Sequence, residues 1–99
     1  MVYCSIMNKH RRDITLVVLR AMVDMPECQI GGVGLSGANI SLRIEMGLYQ
    51  IGGLFGSVIN GLLDALEPLG LMKCPPDGRR YLWTFAEDPA VVIGKVMVM

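Results

Sequence analysis

From Met46 to Leu63 the chain carries no charged residue. A run of that length approaches the shortest membrane spans. It also holds Gly52 and Gly56 at the G-x-x-x-G spacing that lets helices touch in a bilayer. Its apolar residues decide otherwise. Leu54, Phe55, Val58, Ile59, Leu62, Leu63 and Leu66 advance by alternating steps of one and three. On a helix of period 3.6 those positions form a single stripe. The opposite face holds Gly53, Gly56, Ser57, Asn60, Gly61, Asp64 and Ala65. A lipid-facing helix is apolar all round, and Gln50, Asn60 and Asp64 would each cost free energy in hydrocarbon. The expectation is an amphipathic helix over about 53–67, not a membrane span. Pro68 weakens its last turn, and Gly70 suits the left-handed residue after a helix end.

A length of 99 residues allows one small domain, expected to span 1–99. Hydrophobic residues make up 53% and charged residues 18%, which argues against disorder. Nine Lys plus Arg balance nine Asp plus Glu, but they are unevenly placed. Lys9, Arg11, Arg12 and Arg20 lie near the start, and Lys73, Arg79 and Arg80 lie late. Asp24, Glu27, Glu45, Asp64 and Glu67 occupy the middle against Arg43 alone. Two basic poles flank an acidic waist, and that distribution bears on partners more than the sum does.

Cys4, Cys28 and Cys74 are odd in number and far apart, and His10 is the sole histidine. No C-x-x-C occurs, so neither zinc nor any other metal is expected. Free thiols suit a reducing cytoplasm. "MVYCSIMNKHRR" places its charges after its apolar residues, the reverse of a signal peptide.

"MNKHRRDITLVVLRAMVDM" reads as a first helix, with Ile14, Val17, Val18, Ala21, Met22 and Met25 at helical spacing. Asp13 or Asn8 would cap it, and Pro26 marks its end. "ECQIGGVG" reads as a loop with a short extended piece at "CQI". "LSGANISLRIEMG" reads as a short second helix, capped by Ser36 and stopped by Gly47. Ala38, Ile40, Leu42 and Ile44 would face inward. "LMKC" and "RRYLWTF" read as strands of a hairpin joined through "PPDG", whose Pro and Asp-Gly are turn residues. Tyr81, Trp83 and Phe85 would share one strand face, Leu82 and Thr84 the other. In "AEDPAVVIGKVMVM", Asp88 caps a helix starting at Pro89, or "VVIGKVMVM" forms a strand. Either way, the apolar segment 87–99 is expected to pack on the core or on a second copy.

Three pieces of sequence carry a family resemblance. "LSGANISLRI" resembles the second helix of the PadR-type transcriptional regulators, "LLDALEPLGLM" the end of their recognition helix, and "GRRYLWTF" the strand leaving their wing. The ordered combination is also similar, more distantly, to MarR-type proteins. It implies an α+β winged helix-turn-helix domain: a three-helix core over 11–86 with a β wing of two strands, or three. The recognition helix would be about 53–67 and the wing about 71–85. The chain departs from the families in its long first loop, in Asn60 where a Tyr is common, and in lacking a long C-terminal dimerisation helix.

The resemblance implies double-stranded DNA as partner and a homodimer as assembly, with no cofactor. A DNA-reading winged helix needs a helix for the major groove and cations for the backbone. Ser57, Asn60 and Gly61 are the candidate groove residues: Asn can pair bidentately with adenine, and Ser can bond a base edge or a phosphate. Arg79 and Arg80 follow the hairpin tip, where wings touch phosphate or the minor groove. Arg11 and Arg12 could meet the backbone from the first helix, or serve solubility alone. The groove face itself carries no Lys or Arg, and Asp64 repels phosphate. Neutral net charge therefore keeps a second reading open: a winged-helix protein-interaction module that binds no DNA.

No enzyme is expected. His10 has no evident acid partner, and Asp24, Glu27, Asp64 and Glu67 match no metal or hydrolase spacing. "GGVGLSG" lacks the Lys-Ser/Thr ending of a phosphate loop.

Overall fold

A computed structural model describes residues 8–46, 56–75 and 82–99. The architecture is α+β: among the described residues there are four α-helices and a two-stranded antiparallel sheet.

Helix α1 (Lys9–Met22) begins where Asn8 caps it, its Oδ1 accepting from the Arg11 N–H at 2.8 Å. Asn8 rather than Asp13 therefore starts the helix. Its buried face is Thr15, Leu16, Val18, Leu19, Ala21 and Met22. Leu16 and Leu19 belong to the core, whereas Val17, expected there, is only half-buried. Thr15 is buried because its hydroxyl donates back to the Arg11 carbonyl at 2.7 Å.

The helix ends at Met22, and a 3-10 turn follows at Pro26–Cys28. The Gln29 amide closes this corner, donating to the carbonyls of Met22, Val23 and Met25 at 3.0–3.1 Å. The last carbonyls of a helix lack partners within it, and Gln29 supplies them. The extended piece expected at "CQI" is thus helical in part. Extended pairing occurs further on, where Leu35 forms an antiparallel bridge with Trp83. Gly34 has φ +84° and packs against the Leu82 backbone, a place for no larger residue.

Helix α2 (Gly37–Met46) is capped by Ser36, whose Oγ accepts from the Asn39 N–H at 3.2 Å. Its inward residues are Gly37, Ile40, Ser41 and Ile44. Ala38 and Leu42 are exposed, contrary to expectation, because Gly37 and Ser41 take the inward positions. Gly47, the expected stop, lies outside the described residues, as do Leu54 and Phe55.

Helix α3 (Gly56–Asp64) buries Ile59, Leu62 and Leu63. Val58, expected in the core, is 42% exposed at the edge of the stripe. Beyond the helix, turns run to Gly70 at φ +76°. There the Leu71 N–H bonds the Leu66 carbonyl at 3.2 Å and the Gly70 N–H bonds the Glu67 carbonyl at 3.0 Å. This is a Schellman stop, with Leu66 and Leu71 both buried beside it. It explains why "LEPLGL" turns the chain so sharply into the sheet.

Strands β1 (Met72–Lys73) and β2 (Thr84–Phe85) pair with Met72 opposite Phe85 and Lys73 opposite Thr84. They are shorter than the expected hairpin arms; residues 76–81, with most of "PPDG" and Tyr81, lie outside the described residues. Trp83 and Phe85 are fully buried. Thr84, on the opposite face, is buried too.

The open choice for the C-terminal segment resolves to helix. Helix α4 (Pro89–Met97) is capped by Asp88, which accepts from the Ala90 N–H at 2.8 Å. It packs on α1 and buries Val92 and Val96. No helix among the described residues is long and apolar enough to cross a membrane.

Candidate nucleic-acid interface

The solvent face of α3 is a shallow concavity lined by Ser57, Asn60, Gly61 and Asp64. These are the outward positions of the amphipathic stripe. The three candidate groove residues are therefore neighbours on one surface.

Asn60 does more than sit there. Its Oδ1 accepts from the Gly37 backbone N–H at 3.1 Å and from the Trp83 indole Nε1–H at 3.0 Å. One oxygen thus ties the start of α2, the middle of α3 and the strand that leads into β2. Both lone pairs are occupied, and the two donors establish which end of the amide is oxygen. Bidentate pairing with adenine needs that oxygen free, so the expected Asn–adenine contact is not available to Asn60 in this arrangement.

The latch rests on an unusually close approach of two backbones. A Cβ added at Gly37 would strike the Gly56 carbonyl oxygen and the Asn60 side chain. One added at Gly56 would lie 2.7 Å from the Ala38 Cα and N. Glycine at both positions is what lets α2 and α3 make the most extensive helix pairing among the described elements. The G-x-x-x-G spacing did flag Gly56 as a contact glycine, and what it meets is the Gly37–Ala38 backbone of α2; Gly52 lies outside the described residues.

Arg11 reaches this face from α1. Its Nη2 donates to the Gly61 carbonyl at 3.2 Å, one of the C-terminal carbonyls of α3. Its Nε is buried without a hydrogen-bond partner, and the guanidinium as a whole is half-buried. Arg11 is thus neither a free surface cation nor a core residue: it brings the basic start of α1 to the edge of the concavity. Arg12 makes only a loose contact with its neighbour Asp13, at 3.8 Å. Arg79 and Arg80 lie outside the described residues.

A second charged feature lies away from the concavity. Arg43 of α2 holds Glu27 of the 3-10 turn with both prongs of its guanidinium, one at 2.8 Å from Nη1 to Oε1. Hydrogen bonds from Arg43, and then from the Glu27 backbone, hold that carboxyl down to about 2. Next to it, burial pushes the Cys28 thiol up to about 12, so it stays protonated at neutral pH. Cys28 is a buried free thiol, and Cys74 is half-buried.

Sequence reasoning missed the Asn60 latch, the Arg11 bridge and the Gln29 cap. All three are polar side chains that satisfy backbone groups or an indole: Asn60 and Arg11 reach far along the chain, Gln29 only to the end of the preceding helix. Gly37 was the available signal: a glycine directly after an N-cap has no capping duty of its own, so it marks close approach. Comparison with protein-family models, curated proteins and solved structures finds no match for this chain.

Proposed function

We propose that this chain is a winged helix-turn-helix protein of the cytoplasm that binds double-stranded DNA as a transcriptional regulator. In this reading α3 enters the major groove, Arg11 and Arg12 meet phosphates beside it, and Arg79 and Arg80 act from the wing. The single observation that carries it is the Arg11–Gly61 contact. It sets a cation from the basic start of α1 at the rim of the concave, small-residue face of α3, where a phosphate flanking the groove would lie. Gly61 and Ser57 leave room for close approach, and Asn60 is held rigid by its two donors. The β1–β2 sheet with its Leu35–Trp83 bridge is compatible with the base of a wing.

The testing experiment is a titration of the purified protein against random-sequence duplex at low and moderate salt. Binding should weaken as salt rises, with a logarithmic slope of about −0.9 for each phosphate contacted. Arg79→Ala with Arg80→Ala should reduce both affinity and slope. Absence of binding at low salt, or binding without a slope, overturns the reading.

A second reading has its own observation. Leu42 and Val58 are 53% and 42% exposed on α2 and α3. Apolar side chains on those helices suit a protein partner, which would bind with little salt dependence. A homodimer belongs to the first reading, built on α4 and the residue that follows it, where Val91, Met97 and Val98 stay exposed. A sizing column with light scattering tests it; a strictly monomeric species counts against it.

A further inference from the structure

The Asn60 amide has two chemically different ends, and the fold has used only one. Gly37 and Trp83 fill the acceptor capacity of Oδ1. Among the described residues the amide nitrogen makes no hydrogen bond, and it is not buried. What Asn60 offers to the concavity is therefore donors only, held at a fixed orientation by α2 and the strand carrying Trp83.

We infer that α3 uses the Asn60 amide N–H to read a hydrogen-bond acceptor on a base edge, namely guanine, and that it discriminates against adenine at that position; this rests on the DNA-binding reading. A fixed donor could in principle meet either a phosphate or a base. Asp64 lines the same concavity, and a carboxylate opposes the full charge of a phosphate more strongly than the partial charge of a base-edge acceptor. The base edge remains. In the major groove guanine presents two adjacent acceptors, O6 and N7, whereas adenine presents one, N7, beside an N6 amine that is itself a donor, and thymine presents one beside a methyl group. Adenine pairs well with Asn only when the amide oxygen accepts from its N6 amine. Here that oxygen is full. Asn60 is thus a specificity residue, and Trp83 and Gly37 are positioning groups that act through it.

Two substitutions separate these roles. Asn60→Asp keeps an oxygen for Gly37 and Trp83 but turns a carboxylate, not an amide N–H, toward the groove. Trp83→Phe removes one of the two donors that fix the amide, so that it can turn and present Oδ1 to the groove as an acceptor. Binding sites are selected from a random duplex pool with wild type and both variants, and affinities are measured on the selected site and on its guanine-to-adenine counterpart. Thermal melting of each variant is followed in parallel. Wild type is expected to lose about tenfold on the change to adenine. Asn60→Asp should stay folded and lose that preference, and Trp83→Phe should accept adenine nearly as well as guanine. If Asn60→Asp does not fold, Trp83→Phe decides. An adenine preference in wild type, or a guanine preference unchanged in the folded variants, overturns the inference while leaving salt-dependent DNA binding intact. No salt-dependent binding of wild type to any duplex overturns the underlying reading as well.

Discussion

The α2–α3 pairing and the α1–α4 pairing are both helix contacts, yet they are built from opposite materials. Between α2 and α3 the backbones nearly touch: Gly37 faces the Gly56 carbonyl, Gly56 faces Ala38, and a polar oxygen from Asn60 bonds across the gap. Between α1 and α4 side chains do the packing, with Val92 and Val96 buried and Gly94 open to solvent. The first contact tolerates almost no added atom and sets the concavity's shape. The second can absorb change, because an apolar contact of aliphatic side chains has many near-equivalent packings. Rigidity is thus concentrated where the proposed DNA-reading surface is made.

Alanine in place of glycine breaks the comparison open. Gly37→Ala drives a methyl into the Gly56 carbonyl and the Asn60 side chain, and neither the backbone nor the latched amide can move aside. Overpacking of this kind costs about 3 kcal/mol, read as a lower urea midpoint. Gly94→Ala in α4 meets nothing within 4 Å. There the better helix propensity of alanine should raise stability by about 0.5–1 kcal/mol. The same substitution with opposite signs would establish the contrast; equal effects would dissolve it.

Asn60→Ala comes next in size. It leaves the Gly37 N–H and the Trp83 indole N–H without their acceptor. Water can enter the vacated, half-buried space, so a loss of about 2 kcal/mol is expected rather than the full penalty of two orphaned donors. A double-mutant cycle with Trp83→Phe should show coupling; strictly additive losses would mean the indole bond contributes nothing.

Gly61→Ala sharpens the comparison from the functional side. Gly61 lies on α3 but faces open space, so alanine should stabilise the helix by about 0.5–1 kcal/mol. The same methyl projects into the concavity and should weaken duplex binding. Stability and affinity moving in opposite directions would mark Gly61 as kept for the surface; moving together would not.

Much of the helical frame could be read from spacing alone. The stripe from Ile59 to Leu66, the Ser36 and Asp88 caps and the Gly70 stop all depend on local chemistry, and local chemistry is what a sequence displays directly. Misjudged positions share a cause. Val58, Leu42 and Ala38 fit a helical period but sit at the edge of their stripes, where the neighbouring helix decides burial. At Leu35, pairing depends on Trp83 much later in the chain, and no local signal announces it. The candidate site divides in the same way. Ser57, Asn60 and Gly61 emerge from the outward face of α3. Asn60's commitment to Gly37 and Trp83 is invisible without the fold, because three distant segments meet at one oxygen.

The smallest expected effect lies at the other end of α2. Arg43 and Glu27 join α2 to the turn after α1, but both are on the surface, so the pair contributes little and less in salt. Its pH signature is still distinct. The Glu27 carboxyl titrates at about 2 in the folded chain against an ordinary value of 4.5. The folded value is depressed, so the contribution is fully present above 4.5 and disappears as pH falls toward 2. Glu27→Gln should therefore flatten the acid side of a melting-temperature profile across that window and change little at neutral pH. An acid limb that keeps its wild-type slope would show that the fork between Arg43 and Glu27 does not hold α2 in place, and would leave the Ser36 cap and the Asn60 latch as the contacts that fix it.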